Sequence, residues 1–296
     1  MPFFRTDHWR SAILHAPLNV LLTREHWDDV PVTLLPSDGD HRFLADPFGF
    51  WRDDTLYVFV EAFDYRDAKG VIDVLVYDQS FTLQERFRAL ETPWHLSYPY
   101  VFEHDGVMYM LPEASGSGRL TLYRATQFPL GWEVVPEFDF PQAAVDATPL
   151  FHEGRWWLFW NPPGTKDERQ SVLALSTADS LVGPWQYRGI IHQDRAGARP
   201  GGTPVVVADG VILPVQDCRG TYGRGIRLLK IVGFEDETVR VVPQQHVGIP
   251  RALKAHYPDG MHTLSAVGDV TLLDVKRVGL GPKRDVMNLR RKVFGR

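Results

Sequence analysis

The sequence predicts an all-β chain folded as a five-bladed β-propeller, and three observations predict it. A phrase of two strands joined by an acidic, glycine-containing turn recurs along the 296 residues. Its anchor prolines, Pro47, Pro99, Pro149 and Pro204, lie 52, 50 and 55 residues apart, and a fifth copy follows 59 residues on with Thr263 in that place. Helix-period segments are almost absent. Repeats of about 50 residues, each too small to bury its own apolar faces, mark folds built by stacking like units.

Taken in order, "WRSAILHA" and "VPVTLL" come first, two strands with no unit of their own. They are expected to complete the last unit, because a propeller must protect its edges. The first unit starts near residue 44 with "ADPFGFW", turns at "RDD", and runs on through "TLYVFVE" and "GVIDVLVYD". Alternation of apolar and polar residues beside Asp/Gly turns is the hairpin signal. The second unit starts near 96, turns at "EHDG" and continues in "VMYMLPE" and "RLTLYRAT"; the third starts near 146, turns at "HEG" and continues in "RWWLFWN" and "SVLALSTAD". Both then carry a Gly/Pro turn into a Trp-containing outer strand, "FPLGWEVV" and "LVGPWQYR". The fourth unit starts near 201 and the last near 260, where strands run out after "DVTLLDVKR". The whole is read as one domain, 1–296. Its end, 281–296, is a short basic helix or tail with Lys283, Arg284, Arg290, Arg291, Lys292 and Arg296 against Asp285 alone. Such a run is a candidate peripheral membrane contact, although a solvated helix is the plainer reading.

Composition narrows the function classes. A net charge of -5 argues against general nucleic-acid binding. No stretch approaches the roughly 20 apolar residues of a membrane span. The N-terminus lacks the basic start and unbroken apolar run of an export signal, and Cys218 is the single cysteine, so a cytoplasmic location is expected. The eleven histidines fall without ligand spacing, so neither a metal nor another cofactor is expected.

First strands of propeller blades line the central channel, which should bring Asp46, Tyr98, Asp146, Thr203 and His262 around one opening. Glu61, Glu113, Asn161, Asp217 and Asp274 end second strands and are possible companions. Carboxyl groups converging from separate units beside aromatic rings are what glycosidic chemistry uses, one as base or nucleophile and one as acid. The local alternative is that an Asp before Pro only bonds amides of its own turn. The candidate catalytic residues are Asp46 as base or nucleophile, Glu113 as acid and Asp146 as the group that stabilises the transition state or tunes the acid's pKa. Candidate substrate contacts are Glu61, His95, Tyr98, Arg199, Asp217, Arg219 and His262. If Arg199, Arg219 and His262 face the opening, the ligand is expected to be anionic.

The phrases "ADPF", "HLSYPYVFEHDGVMYMLPEAS", "RPGG", "PVQDCRGTYG" and "DGMHTLS…GD…LLDVKR" carry a resemblance. Over residues 8 to 277 the chain resembles the propeller domain at the N-terminus of plant glucosamine inositolphosphorylceramide transferases and related bacterial stand-alone proteins. More distantly it is similar to the arabinanase, xylosidase and invertase glycosidases. The first resemblance implies a place in glycan or glycolipid synthesis. The second implies a catalytic Asp where Asp46 stands and another near Asp146, three residues before its proline. It also implies a fourth-unit acid that is missing here, because "RPGGTP" offers Gly201 and Gly202. An acid would then come from Glu113 or Glu61.

The expected function is cleavage or transfer of a glycosidic bond in a carboxylate-lined axial pocket. The alternative is a non-catalytic sugar- or nucleotide-sugar-binding propeller assisting a separate glycosyltransferase.

Overall fold

The computed structural model describes residues 5–234 and 238–281, so the expected basic helix or tail lies outside the described residues. The chain is all-β. Its strands, in order, are β1 (Arg5–Leu14), β2 (Val32–Leu34), β3 (Arg42–Arg52), β4 (Thr55–Asp64), β5 (Lys69–Tyr77) and β6 (Leu83–Leu90). Then come β7 (Ser97–His104), β8 (Val107–Glu113), β9 (Tyr123–Gln127) and β10 (Leu130–Val134), followed by β11 (Val145–His152), β12 (Arg155–Asn161), β13 (Val172–Ala178) and β14 (Gln186–Gln193). The last are β15 (Arg199–Pro200), β16 (Val205–Val207), β17 (Gly210–Asp217), β18 (Gly225–Val232), β19 (Arg240–Val247), β20 (Leu264–Val267) and β21 (Val270–Leu280). Among the described residues three one-turn α-helices interrupt them, α1 (Leu18–Leu21), α2 (Glu168–Ser171) and α3 (Arg251–Lys254), with one 3-10 turn at Ser115–Ser117. No described helix is long and apolar enough to cross a membrane.

Among the described residues these strands form four hydrogen-bonded sheets, not five. The repeats at 44 and 260 share one, ordered β20-β21-β1-β3-β4-β5-β6 with β2 beside β1, because β1 meets β3 in a single parallel pairing, Arg10 with Leu44. No sheet closes into a barrel. The spare N-terminal strand is used here: β1 pairs antiparallel with β21 over ten residues, from Arg5 opposite Leu280 to Leu14 opposite Thr271. The first and fourth repeats also have outer strands, β6 and β19, which are mostly polar and exposed and so leave no apolar signal.

Inner strands are buried on both faces. In β12, "RWWLFWN", every residue after Arg155 is buried. Trp156 and Trp160 pack with Leu111 and Leu122 of the preceding repeat, whereas Trp157 and Phe159 face the other way onto Leu213 and Leu229. Alternation in a doubly covered strand therefore sorts side chains between two neighbours rather than between core and water. The same logic puts Phe59 and Ile72 against Tyr98 and Met110, and Leu14 and Leu273 against Ile226 and Leu228. Ile13, Leu44, Val58 and Leu272 fill the space between the two halves of the large sheet. Each such side chain contributes about 1.5–3 kcal/mol on burial.

Candidate functional site

The side chains that converge do so because three first strands are bulged alike. Pairing of β3 with β4 shifts between Ala45 and Phe48, that of β7 with β8 between Ser97 and Tyr100, and that of β11 with β12 between Val145 and Thr148. At each shift one residue takes a left-handed backbone: Asp46 at φ 48°, Tyr98 at 46° and Asp146 at 47°. Non-glycine residues in this region cost about 1–3 kcal/mol each, and a bulge re-aims a side chain that a regular strand would point elsewhere. Asp146 is thus the structural equivalent of Asp46 despite its different distance from proline. In the fourth repeat Gly202, at φ 146°, lies between β15 and β16, so the expected position is Gly202 and not Thr203.

A cavity of about 460 Å³ opens over these bulges. Asp46, Glu61, His95, Glu113, Arg199 and His262 all line it. Asp46 is held firmly: one oxygen accepts the Tyr98 N–H at 3.1 Å and the other the Thr263 hydroxyl at 2.7 Å. Its own N–H donates to Asp274 at 3.0 Å. Asp274 is fully buried and also accepts the N–H groups of His262 and Thr263, each at 3.0 Å. The Nδ1 of His262 lies 2.6 Å from Asp274 and 3.6 Å from Asp46. Burial acts to lower the pKa of this imidazole, but Asp274 and Asp46 outweigh it and leave it raised. One ligand atom from each of Asp46, His262 and Asp274 falls within 4.8 Å of the others, a spacing that could hold a cation.

The two glutamates differ. Glu113 has both oxygens engaged as acceptors, from the Ser115 N–H at 2.8 Å and the Ser97 hydroxyl at 3.3 Å. Glu61 is 6% exposed, and among the described residues no donor lies within hydrogen-bond distance of its carboxyl group. Burial, then the nearby charges of Asp46 and Glu113, push it well above the usual carboxylate range. The Nδ1 of His95 accepts the Gly70 N–H at 2.8 Å, so its proton sits on Nε2, 3.6 Å from Glu61. Burial holds this imidazole below its ordinary pKa, so it is neutral near pH 7. Asp146 is buried behind Arg199 and does not itself line the cavity; it takes Arg199 through two bonds, of 2.7 and 3.2 Å, and the Gln216 amide at 2.8 Å. Burial pushes it up to about 6, against the pull of Arg199.

Three of the expected substrate contacts point elsewhere. Tyr98 is fully buried beneath the site, its hydroxyl accepting the Gly202 N–H at 2.8 Å and lying 2.8 Å from the Thr148 hydroxyl. It pins one repeat to two others. Asp217 binds the side chain and N–H of Arg219, its neighbour two residues on, and neither lines the cavity. The rings that do line it are Trp9, Phe43, Phe63 and Tyr222. Trp9 stacks on His262 with ring centroids 3.7 Å apart. The Lys276 ammonium lies 5.0 Å from the Trp9 ring and donates to the Tyr222 carbonyl. The loop entering α2 adds Lys166, Arg169 and Gln170. Sequence reasoning missed these three, because "GTKDERQ" reads as an ordinary solvated turn.

Residues 32–260 match the protein family described as glucosamine inositolphosphorylceramide transferase 1, N-terminal. The glucosamine inositolphosphorylceramide transferase 1 of Oryza sativa subsp. indica is 34% identical over 277 residues, taking in 88% of this chain and 36% of that protein. The chain thus spans 36% of the length of that curated relative. Among solved structures, a thermostable family-43 glycoside hydrolase superposes with a TM-score of 0.52 at 15% identity, over 70% of this chain and 77% of its own. The catalytic domain of the Coprinopsis cinerea family-62 α-L-arabinofuranosidase gives 0.55 at 11% identity, over 81% and 93%. At such identities the likeness is one of fold.

Proposed function

The chain belongs to the family of the glucosamine inositolphosphorylceramide transferase 1 N-terminal region, and on that premise we propose that it binds a sugar and cleaves or transfers a glycosidic bond in this cavity. The observation that carries the reading is the convergence of Asp46, Glu61 and Glu113, from two repeats, on one space with unequal environments. Pairs of carboxyl groups driven apart in acidity are how one site supplies both acid and base. Glu61, buried and without a donor, keeps its proton and gives it to the departing glycosidic oxygen as the bond from the anomeric carbon breaks. Asp46, held by fixed donors, takes the proton of the incoming hydroxyl or attacks the anomeric carbon itself. Glu113 binds a sugar hydroxyl, and Arg199 keeps Asp146 charged beneath the ring as positive charge develops. This moves the acid role from Glu113 to Glu61. We read the large sheet as two blades joined at the Arg10–Leu44 pairing, which makes five blades about the cavity.

Removing a general acid or base costs about 10²–10⁴ in rate. Asp46→Asn and Glu61→Gln are each expected to lose that much turnover while still melting cooperatively. Mass spectrometry of products from a panel of nucleotide sugars, sugar phosphates and aryl glycosides checks it. Unchanged turnover in both variants would remove the reading. A second reading, a sugar-binding module serving a glycosyltransferase, is favoured by one observation: the chain covers 36% of a longer transferase. It expects a ligand that raises the melting temperature and yields no product.

A further inference from the structure

The cations picked out in the sequence are neutralised: Arg199 by Asp146 and Arg219 by Asp217. The loop into α2 is different. Of its two acids, Asp167 pairs with Arg195, and Glu168 accepts the Thr165 N–H at 2.7 Å. Lys166 and Arg169, on either side of them in sequence, line the cavity and have no carboxylate partner among the described residues. Next to them Gln170 is 6% exposed, and its amide oxygen accepts Arg195 at 2.7 Å. Its NH₂ group therefore has no protein acceptor among the described residues, and it too lines the cavity. Five consecutive residues thus present two cations and an amide donor to the cavity, with their own acids engaged on other partners.

Resting on the reading that this cavity binds a sugar, we propose that Lys166, Arg169 and Gln170 form an anion subsite that takes a phosphate group carried by the sugar. A phosphate monoester offers three strong acceptor oxygens and a charge between about -1.5 and -2, which matches three donors bearing two positive charges. A carboxylate offers two oxygens and half the charge. Asp46 and Glu113, which also line the cavity, repel phosphate. The ligand is thereby oriented, sugar over the carboxyl groups and phosphate at the α2 loop.

The test is a binding titration of the full chain with inorganic phosphate, followed by NMR or calorimetry, in the wild type and in Lys166→Ala/Arg169→Ala. Lys166 is exposed in the loop before α2 and Arg169 is half-buried in its first turn, and neither has a carboxylate partner to lose, so the unliganded melting temperature is expected to hold. Removing one charge-assisted hydrogen bond weakens binding about tenfold or more, so the double variant should bind about 100-fold more weakly. Asp46→Asn should retain phosphate binding. Glucose 1-phosphate and UDP-glucose say whether a monoester or a nucleoside diphosphate brings the group. No phosphate binding to the wild type, equal binding to the double variant, or binding of glucuronate in preference to glucose 1-phosphate overturns the proposal. A phosphate effect confined to the loop variant, with turnover intact in Asp46→Asn and Glu61→Gln, would leave the subsite standing and sink the catalytic reading instead.

Discussion

Glu61 shows what burial does to a single carboxyl group. Its folded pKa is raised above the ordinary 4.5, so the native state holds this proton more tightly than the unfolded chain does. The stability this contributes is fully present below the ordinary value and is lost as pH rises through the raised one. Glu61→Gln, which cannot ionise, should therefore gain on the wild type in melting temperature as pH goes from about 4 to about 8. A gap that stays flat, or moves the other way, contradicts the assignment. How far single residues were legible in the sequence depended on their partners. Asp46 and Glu61 stand at repeat anchors and strand ends, so their positions could be read. Tyr98 stands at the same anchor, yet its ring turns down to Gly202 and Thr148, a choice that only the neighbouring repeats determine. Arg219 was misplaced because a carboxylate two residues away, Asp217, claims it.

At the scale of the element, the bulge rather than the proline aims each side chain. The position of Pro149 suggests an offset for Asp146; strand register puts Asp146 where Asp46 is in its own sheet. Register depends on pairing, which a linear pattern does not record. The fourth repeat reaches the same place with Gly202, whose N–H meets Tyr98 and whose backbone bridges Leu264 in parallel. A Cβ there would run into the Leu264 carbonyl oxygen, and φ 146° is a conformation that other residues avoid. Gly202→Ala is expected to destabilise the fold by about 3 kcal/mol or more, mainly by parting the fourth sheet from β20. Denaturant unfolding measures this, and a loss below about 1 kcal/mol would mean the seam adapts. The outer strands β6 and β19 went unread for the opposite reason, since their exposed polar faces differ little from loops.

At the scale of the molecule, the pairing of β1 with β21 fastens strands far apart in sequence into one sheet. Residues of β1 lie between β21 and β3, and Ala12, Ile13 and Leu14 are wholly buried there. Removing residues 1–14 takes out those side chains with Trp9, at about 1.5–3 kcal/mol for each large one, against a total stability of about 5–15 kcal/mol. The shortened chain is expected to lose its cooperative melting and its near-ultraviolet circular dichroism; a sharp transition at the wild-type temperature would show that β1 is dispensable. This fastening also sets an order of events. At about 5–20 residues per second, the ribosome makes β1 some tens of seconds before it makes β21. The Asp46 N–H donates to Asp274 across 228 positions of sequence, so the site's central carboxylate lacks its anchor for nearly all of that time. A nascent chain therefore has most of its strands while the bond that fixes the Asp46 backbone is still missing. β1 waits with an open edge until β21 is made, and only then can both the strand pairing and the bond from Asp46 to Asp274 form.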